Sequence, residues 1–138
     1  MRIEIKKKEY QTIEKHVTNV LPNEGCGLLI GFGNQVISIT DVIPSSNRST
    51  DKDQFLIDPK VQFDCIRNLR GSPYRIVGHY HSHPNGKDIP SLRDRNMIHD
   101  MREVWLICSF HKDGKTNSSV YFPTDKPKKF EKAEFSII

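Results

Sequence analysis

The sequence lacks long apolar runs and has few cysteines. No uninterrupted apolar stretch approaches the roughly 18 residues of a membrane-spanning helix. No apolar segment follows the basic residues near the N-terminus, so the start does not resemble a secretory signal. The three cysteines, Cys26, Cys65 and Cys108, show no C-x-x-C spacing, which excludes a disulfide framework and a structural zinc knuckle. These absences predict a soluble cytoplasmic protein that is not bound to a membrane.

The chain has 138 residues, of which 36% are hydrophobic and 28% are charged. This length predicts a single domain over residues 1–138. The formal net charge is +4, part of which comes from a basic tail with Lys126, Lys128, Lys129 and Lys132. Because no nucleic-acid-binding motif or basic stripe with stacking aromatics accompanies this charge, we expect no nucleic-acid partner. An acidic protein partner fits the charge equally well.

Hydrophobic periodicity predicts a mixed α/β domain with a single mixed sheet and helices packed on it. Tyr10, Ile13, Val17 and Val20 form the apolar stripe of a first helix that Pro22 ends. The predicted strands cover residues 2–6, 24–31, 35–43, 55–57, 75–83, 104–110 and 119–122, and one more strand stays possible in the C-terminal stretch. Further helices are predicted from Asp58, as N-cap, to residue 70 and from residue 91 to about 101. The apolar stripe of the helix that begins at Asp58 consists of Val61, Cys65, Ile66 and Leu69.

Histidines recur along the strand predicted over residues 75–83. Alternate residues of a strand share a face, so His79, His81 and His83 line one side at intervals of about 6.6 Å. A lone strand histidine is usually a partly buried polar residue, but three on one face favour a metal site. The strand rise allows two of them to bind one ion, so a further ligand must come from elsewhere; His99 is another histidine of the region. Zinc is the ion that this donor type favours.

The stretch from Ser91 to Asp94 permits two interpretations. Ser-x-x-Asp is close to a capping box, in which Ser91 caps a helix and Asp94 turns back to its amide. Beside the histidines, the same carboxylate is favoured as a metal ligand.

These residues resemble a known signature. His81-Ser82-His83, followed by Ser91 and Asp94, is similar to the H-S/T-H-x7-S-x2-D motif of the JAMM (MPN+) metalloprotease family. The stretch 22–31 resembles the glutamate segment of that family. Further residues typical of its compact bacterial members are Asn47, Phe55, Asp58 and Pro59. The resemblance extends from about residue 8 to residue 122.

The resemblance implies a cytidine-deaminase-like JAMM/MPN fold and a role for each motif residue. His81, His83 and Asp94 would hold zinc as the cofactor. Glu24 would be the general base that deprotonates the metal-bound water and later passes the proton to the leaving amine. Ser91 would hydrogen-bond the developing oxyanion. Without the resemblance, Glu24 would be an ordinary glutamate at the start of a strand.

The resemblance also implies a substrate: an isopeptidase or peptidase of this type would cut after the C-terminal Gly-Gly of a ubiquitin-like or sulfur-carrier protein. Two alternatives stay open, a non-catalytic scaffold domain of the same fold and a zinc hydrolase of a small peptide or amide. His79 either orients a ligand or only packs beside the site. Cys26 is either near the metal or a small buried residue.

Overall fold

The structure, a computed structural model, describes residues 1–51, 54–98, 102–124 and 129–138. Within these ranges the chain forms strands β1 (Arg2–Ile5), β2 (Cys26–Gly33), β3 (Val36–Ser45), β4 (Arg75–His83), β5 (Val104–Phe110), β6 (Thr116–Pro123), β7 (Phe130–Lys132) and β8 (Glu134–Ile137), and helices α1 (Lys7–Asn19), α2 (Pro59–Leu69) and α3 (Leu92–Asn96). None of the helices in these ranges is long and apolar enough to cross a membrane.

All of these strands belong to one sheet, in the order β7-β6-β5-β4-β2-β3-β1-β8. The sheet is mixed, because β1 pairs in parallel with β3 and β8, and β4 with β5, whereas the remaining pairs are antiparallel. The predicted fold class is therefore confirmed. Strand β4, which carries the histidines, lies in the middle of the sheet between β2 and β5.

Helix α1 covers one face of the sheet. Its buried residues Tyr10, Ile13 and Val17 belong to the same core cluster as Leu29 of β2 and Tyr80 of β4. The helix ends at Asn19, before Pro22, as the sequence predicts. Burial of this apolar stripe is the main contribution of α1 to folding, since an isolated helix of this length is marginal in water.

The opposite face is divided between two smaller clusters. Helix α2 begins with the predicted Asp58 cap, whose side chain accepts a hydrogen bond from the Lys60 amide at 3.0 Å, and it packs Cys65 against Leu28 and Ile30 of β2. The second cluster gathers around Trp105 of β5. Its buried members are Cys26, Phe55, Trp105, Ile107 and Tyr121. This second cluster packs against the histidines of β4.

Two details of the sequence-based prediction are wrong. Residues 55–57 form no strand, and only an isolated bridge joins Ile57 to Asn47, because Phe55 turns its ring onto the histidines. Ile66 is 45% exposed rather than buried, since α2 turns only its Val61, Cys65 and Leu69 side toward the sheet.

Other boundaries are also shifted. Helix α3 is shorter than predicted: it ends at Asn96, with Met97 as its C-cap. The predicted extension through residues 99–101, and His99 with it, lies outside the described residues, as do Lys126 and Lys128. Strand β6 begins three residues earlier than predicted, and the C-terminal stretch forms two strands, β7 and β8.

Candidate metal centre

Three histidines of β4 lie on one face of the sheet, as the alternation predicts. Tyr80, between the first two, belongs to the cluster under α1, whereas His79 and His81 contact Phe55 on the other side. His81 is fully buried. Its Nε2 atom lies 3.1 Å from Nε2 of His83, so these two imidazoles converge on a single point.

Asp94 reaches the same point from α3. Its Oδ1 atom lies 3.1 Å from Nε2 of His81, and its Oδ2 atom lies 3.2 Å from Nε2 of His83. The carboxylate also accepts a hydrogen bond from the Ser91 amide at 2.8 Å, while Ser91 Oγ accepts one from the Asp94 amide at 3.1 Å. The capping box and the approach of the carboxylate to the histidines, which the sequence presents as alternatives, are therefore both present.

The spacing of these three donors can be tested against zinc. A tetrahedral ion with bonds of about 2.0–2.1 Å holds neighbouring donor atoms about 3.3 Å apart. The two imidazole nitrogens are 3.1 Å apart, and each lies 3.1–3.2 Å from a different oxygen of the Asp94 carboxylate. Two imidazole nitrogens and one carboxylate are also a donor set typical of catalytic zinc. The residues present fit a zinc ion at this point.

The protonation of two candidate ligands, His81 and Asp94, suits a cation. Burial lowers the pKa of His81 to about 4, although its contact with Asp94 acts in the opposite direction. For Asp94, burial would raise the pKa, but its contacts with His81 and His83 outweigh burial and hold that pKa well below the usual range. At neutral pH His81 is therefore neutral and Asp94 ionised, the forms that bind a metal.

The outer nitrogen of His83 is also fixed. Its Nδ1 atom lies 2.8 Å from the carbonyl oxygen of Lys87, which can only accept a hydrogen bond. Nδ1 therefore carries a proton, and in the neutral ring, the form that binds a metal, the lone pair of Nε2 is directed at the donor cluster. This contact comes from the turn after β4, and its partner is a backbone atom.

Glu24, which lies two residues before β2, is close to the donor atoms of the two histidines. One carboxylate oxygen of Glu24 and one ring nitrogen each of His81 and His83 lie within 4.8 Å of one another. Cys26 pairs with His81 in the antiparallel register of β2 and β4. Just beyond, the Gly25 amide donates to Ser82 Oγ at 2.8 Å, and the Ser82 amide donates to the Gly25 carbonyl at 3.0 Å. These two bonds hold the residue after Glu24 against the residue between the two histidines.

The side-chain amide of Asn47 binds the backbone carbonyl of Glu24. Its Nδ2 donates to the carbonyl oxygens of Glu24 and Gln54, at 3.0 and 2.9 Å. Its Oδ1 accepts from the amides of Ser49 and Leu56, at 2.9 and 3.0 Å. The two donors and two acceptor sites of the amide are thus all used. Asn47 connects the loop after β3 to the segment that carries Glu24.

A family comparison agrees with this geometry. Residues 6–121 match the family model described as prokaryotic homologs of the JAB domain. The chain belongs to this JAB family. The resemblance seen in the motif is therefore confirmed over most of the chain.

Relatives of this JAB domain include a desampylase from Haloferax volcanii, 32% identical over 89 residues, which are 64% of this chain and 63% of that protein. A probable TtuB-protein conjugate cleaving protease from Thermus thermophilus is 32% identical over 81 residues, 57% of this chain and 51% of that protein. The matched segments thus span less than two thirds of these relatives.

Solved structures extend the comparison of this JAB domain to its fold. The solution structure of a Desulfitobacterium hafniense protein superposes with a TM-score of 0.86 at 25% identity, covering 99% of this chain and 92% of that one. A JAB1/MPN domain protein from Archaeoglobus fulgidus gives a TM-score of 0.62 at 17% identity, with coverage of 100% and 99%. The second match supports the predicted JAMM/MPN fold.

Cys26 lies near the site of this JAB domain and packs as a small buried residue. It is fully buried in the cluster around Trp105. Burial, together with the nearby charge of Glu24, raises the pKa of its thiol to about 12. At neutral pH it is therefore a neutral thiol.

Some contributors to the site are not evident from the sequence. Ser82 and Glu103 act through contacts that depend on how β2, β4 and β5 are paired, and the Lys87 carbonyl acts through the turn after β4. Ser82 lies inside the H-S-H motif, but nothing in its spacing predicts a bond to Gly25. Asn47 and Phe55 are signalled only by the family resemblance, which gives them no role.

Proposed function

We propose that this JAB domain is a zinc-dependent isopeptidase or peptidase. The observation that supports the proposal best is the convergence of His81, His83 and Asp94 beside the carboxylate of Glu24, with the two imidazole nitrogens 3.1 Å apart and each 3.1–3.2 Å from one Asp94 oxygen. When bound there by these three residues, zinc supplies Lewis acidity toward a substrate carbonyl and lowers the pKa of water to about 7.

Glu24 is the proposed general base. Its carboxylate lies next to the ligands but is not needed to complete a set of three, so it is available to a water molecule at the fourth position. In the proposed reaction it takes a proton from the attacking water and then gives that proton to the leaving amine. Glu24 is only 7% exposed, which limits the access of bulk water to its carboxylate.

Ser91 is the proposed oxyanion donor. Its Oγ accepts a hydrogen bond from the Asp94 amide, and this bond orients the hydroxyl without using its hydrogen. That hydrogen can then be donated to the oxygen that becomes negative during attack. Because Asp94 both binds the metal and anchors Ser91, the donor has a fixed position relative to the reacting carbonyl.

The proposed substrate is a ubiquitin-like or sulfur-carrier protein joined through its C-terminal Gly-Gly. The Thermus relative is named as a protease that cleaves TtuB-protein conjugates, and the Haloferax relative as a desampylase. Near the site in sequence, Ile89 and Leu92 expose 55% and 73% of their surface, as apolar contacts for a protein partner would. The three free buried cysteines agree with a reducing cytoplasm as the compartment.

The experiment uses zinc-loaded protein and a ubiquitin-like protein fused through Gly-Gly to a reporter. Glu24→Gln keeps the shape of the side chain but removes the base, so cleavage should fall about 10²–10⁴-fold while bound zinc stays at the parental level. The matched control is Glu134→Gln, an exposed glutamate of β8, which should cleave normally. Cleavage by Glu24→Gln at the parental rate would contradict the mechanism.

A substrate panel tests the specificity. Replacing Gly-Gly by Ala-Ala in the fusion should abolish cleavage, and a small chromogenic amide should be cut poorly. Preference for the small amide would instead support a general zinc amidase. Absence of zinc from protein purified without chelators, together with no cleavage, would favour the scaffold alternative.

A further inference from the structure

A chain of three side chains leads away from the candidate metal centre. His81 Nδ1 lies 3.3 Å from His79 Nε2, and His79 Nδ1 lies 2.9 Å from Glu103 Oε1. His79 is 3% exposed, whereas the Glu103 side chain is 33% exposed. The series therefore begins at a carboxylate that solvent reaches and ends at the buried ligand His81.

The pairing of β4 with β5 creates this arrangement. The two strands are parallel, with Gly78 opposite Val104 and His79 opposite Trp105. Glu103 directly precedes β5 and therefore lies next to His79. Gly78 permits the close approach, because a Cβ atom at this position would lie 2.0 Å from the Val104 carbonyl oxygen.

Aromatic packing fixes the planes of both imidazoles. The Phe55 ring stacks on His79 and on His81, with centroids 5.1 and 4.3 Å apart, and Trp105 and His79 are T-shaped to each other with centroids 4.4 Å apart. Neither ring can turn freely in this packing. The hydrogen-bonding atoms therefore decide which nitrogen of each ring carries the proton.

Those partners determine the proton positions. An ionised carboxylate only accepts hydrogen bonds, so His79 Nδ1–H donates to Glu103. In a neutral His79 the other nitrogen, Nε2, is then an acceptor, and His81 Nδ1–H donates to it. His81 consequently presents the lone pair of Nε2 to the point where Asp94 and His83 meet.

We propose that Glu103 and His79 are positioning residues that hold His81 in the tautomer and orientation required for metal binding. This inference rests on the proposed zinc site and assigns a role to His79 beyond packing. A carboxylate–histidine pair behind a ligand fixes its ring and increases its basicity, so its removal weakens metal binding.

The first test measures zinc affinity by competition with a chromogenic chelator, which requires no peptidase activity. His79→Phe keeps an aromatic ring of similar size but has no hydrogen-bonding nitrogen. We expect its Kd for zinc to rise about 10–100-fold. His79→Gln retains an acceptor that can reach His81 and should restore most of the affinity. Thermal unfolding of the metal-free variants checks that each is folded.

The second test asks whether Glu103 acts through His79. Glu103→Gln removes the charge but keeps an acceptor, so we expect a loss of zinc affinity of up to about 10-fold. In the His79→Phe background the same change should have no further effect, a non-additivity that independent structural roles would not produce. The matched control is Glu131→Gln, an exposed residue of β7, which should bind zinc as the parent does.

Cobalt substitution supplies a spectroscopic readout. The visible d–d spectrum of Co²⁺ depends on its ligands, and we expect it to shift in His79→Phe and to return toward the parent in His79→Gln. An unchanged zinc affinity and cobalt spectrum in His79→Phe would overturn the inference while leaving the zinc site intact. Failure of the parent protein to bind either metal would instead overturn the proposed function.

Discussion

The two faces of β4 are built from neighbouring residues of one strand but serve different purposes. On one face, Val77 and Tyr80 pack with Ile13 and Val17 of α1 in the larger apolar cluster. On the other, the buried side chains are imidazoles, and their cover is Phe55 from a loop. The first face buries apolar surface, and the second buries polar atoms whose partners are all specified.

This difference predicts that stability and chemistry can be altered separately. Apolar burial contributes about 25 cal/mol per Å² whatever the exact geometry. The donor cluster depends instead on positions that must hold within a few tenths of an ångström for a metal to bind. Substitutions on the α1 face should therefore change unfolding free energy, and substitutions on the histidine face should change metal binding.

Asp94→Asn should have the largest effect. The amide can still accept the hydrogen bond from Ser91, but the charge that a cation requires is lost. We expect zinc affinity to fall more than about 100-fold, beyond the loss typical of an outer partner, and cleavage to disappear. Elemental analysis of dialysed protein measures the bound zinc. Asp113→Asn, in the exposed turn before β6, is the control; full zinc content in Asp94→Asn would refute the ligand assignment.

Ser91 permits a finer test, because its hydroxyl caps α3 and is also the proposed oxyanion donor. Ser91→Ala and Ser91→Gly should both lower kcat about 10²–10³-fold with zinc retained. Only the alanine should also cost about 1 kcal/mol of stability, since glycine is tolerated at an N-cap. Steady-state kinetics and urea unfolding separate the two effects. Unchanged kcat in both variants would show that Ser91 acts only as the cap of α3.

The smallest effect is expected on the α1 face. Ile13→Val removes one methylene group from a fully buried side chain and should lower the free energy of unfolding by about 0.5–1.5 kcal/mol. Zinc affinity should stay the same. Ile66→Val on the exposed side of α2 should change stability by less than about 0.5 kcal/mol. A change of zinc affinity in Ile13→Val would show that the two faces are not independent.

The sequence predicts what depends on period and on local chemistry. Alternation along β4 correctly places the three histidines on one face, and the Asp58 and Ser91 caps occur where they are expected. For Ile66 the spacing is ambiguous, because Ile66 directly follows the buried Cys65 in the helix and lies at the edge of the same helix face. How far α2 rotates toward the sheet is decided by packing, which the spacing does not record.

The spacing of residues in the sequence does not predict the position of Glu24 beside the histidines. It depends on pairing between β2 and β4, whose paired residues are 44 to 55 positions apart in sequence. Only the family resemblance signals this residue. For Glu103 there is no signal of either kind, since its contact with His79 requires the parallel register of β5.

The paired bonds between Gly25 and Ser82 have a consequence for loading of the site. Neither bond involves a candidate metal ligand, so we expect the segment that carries Glu24 to keep its place beside the two imidazoles whether or not an ion is bound.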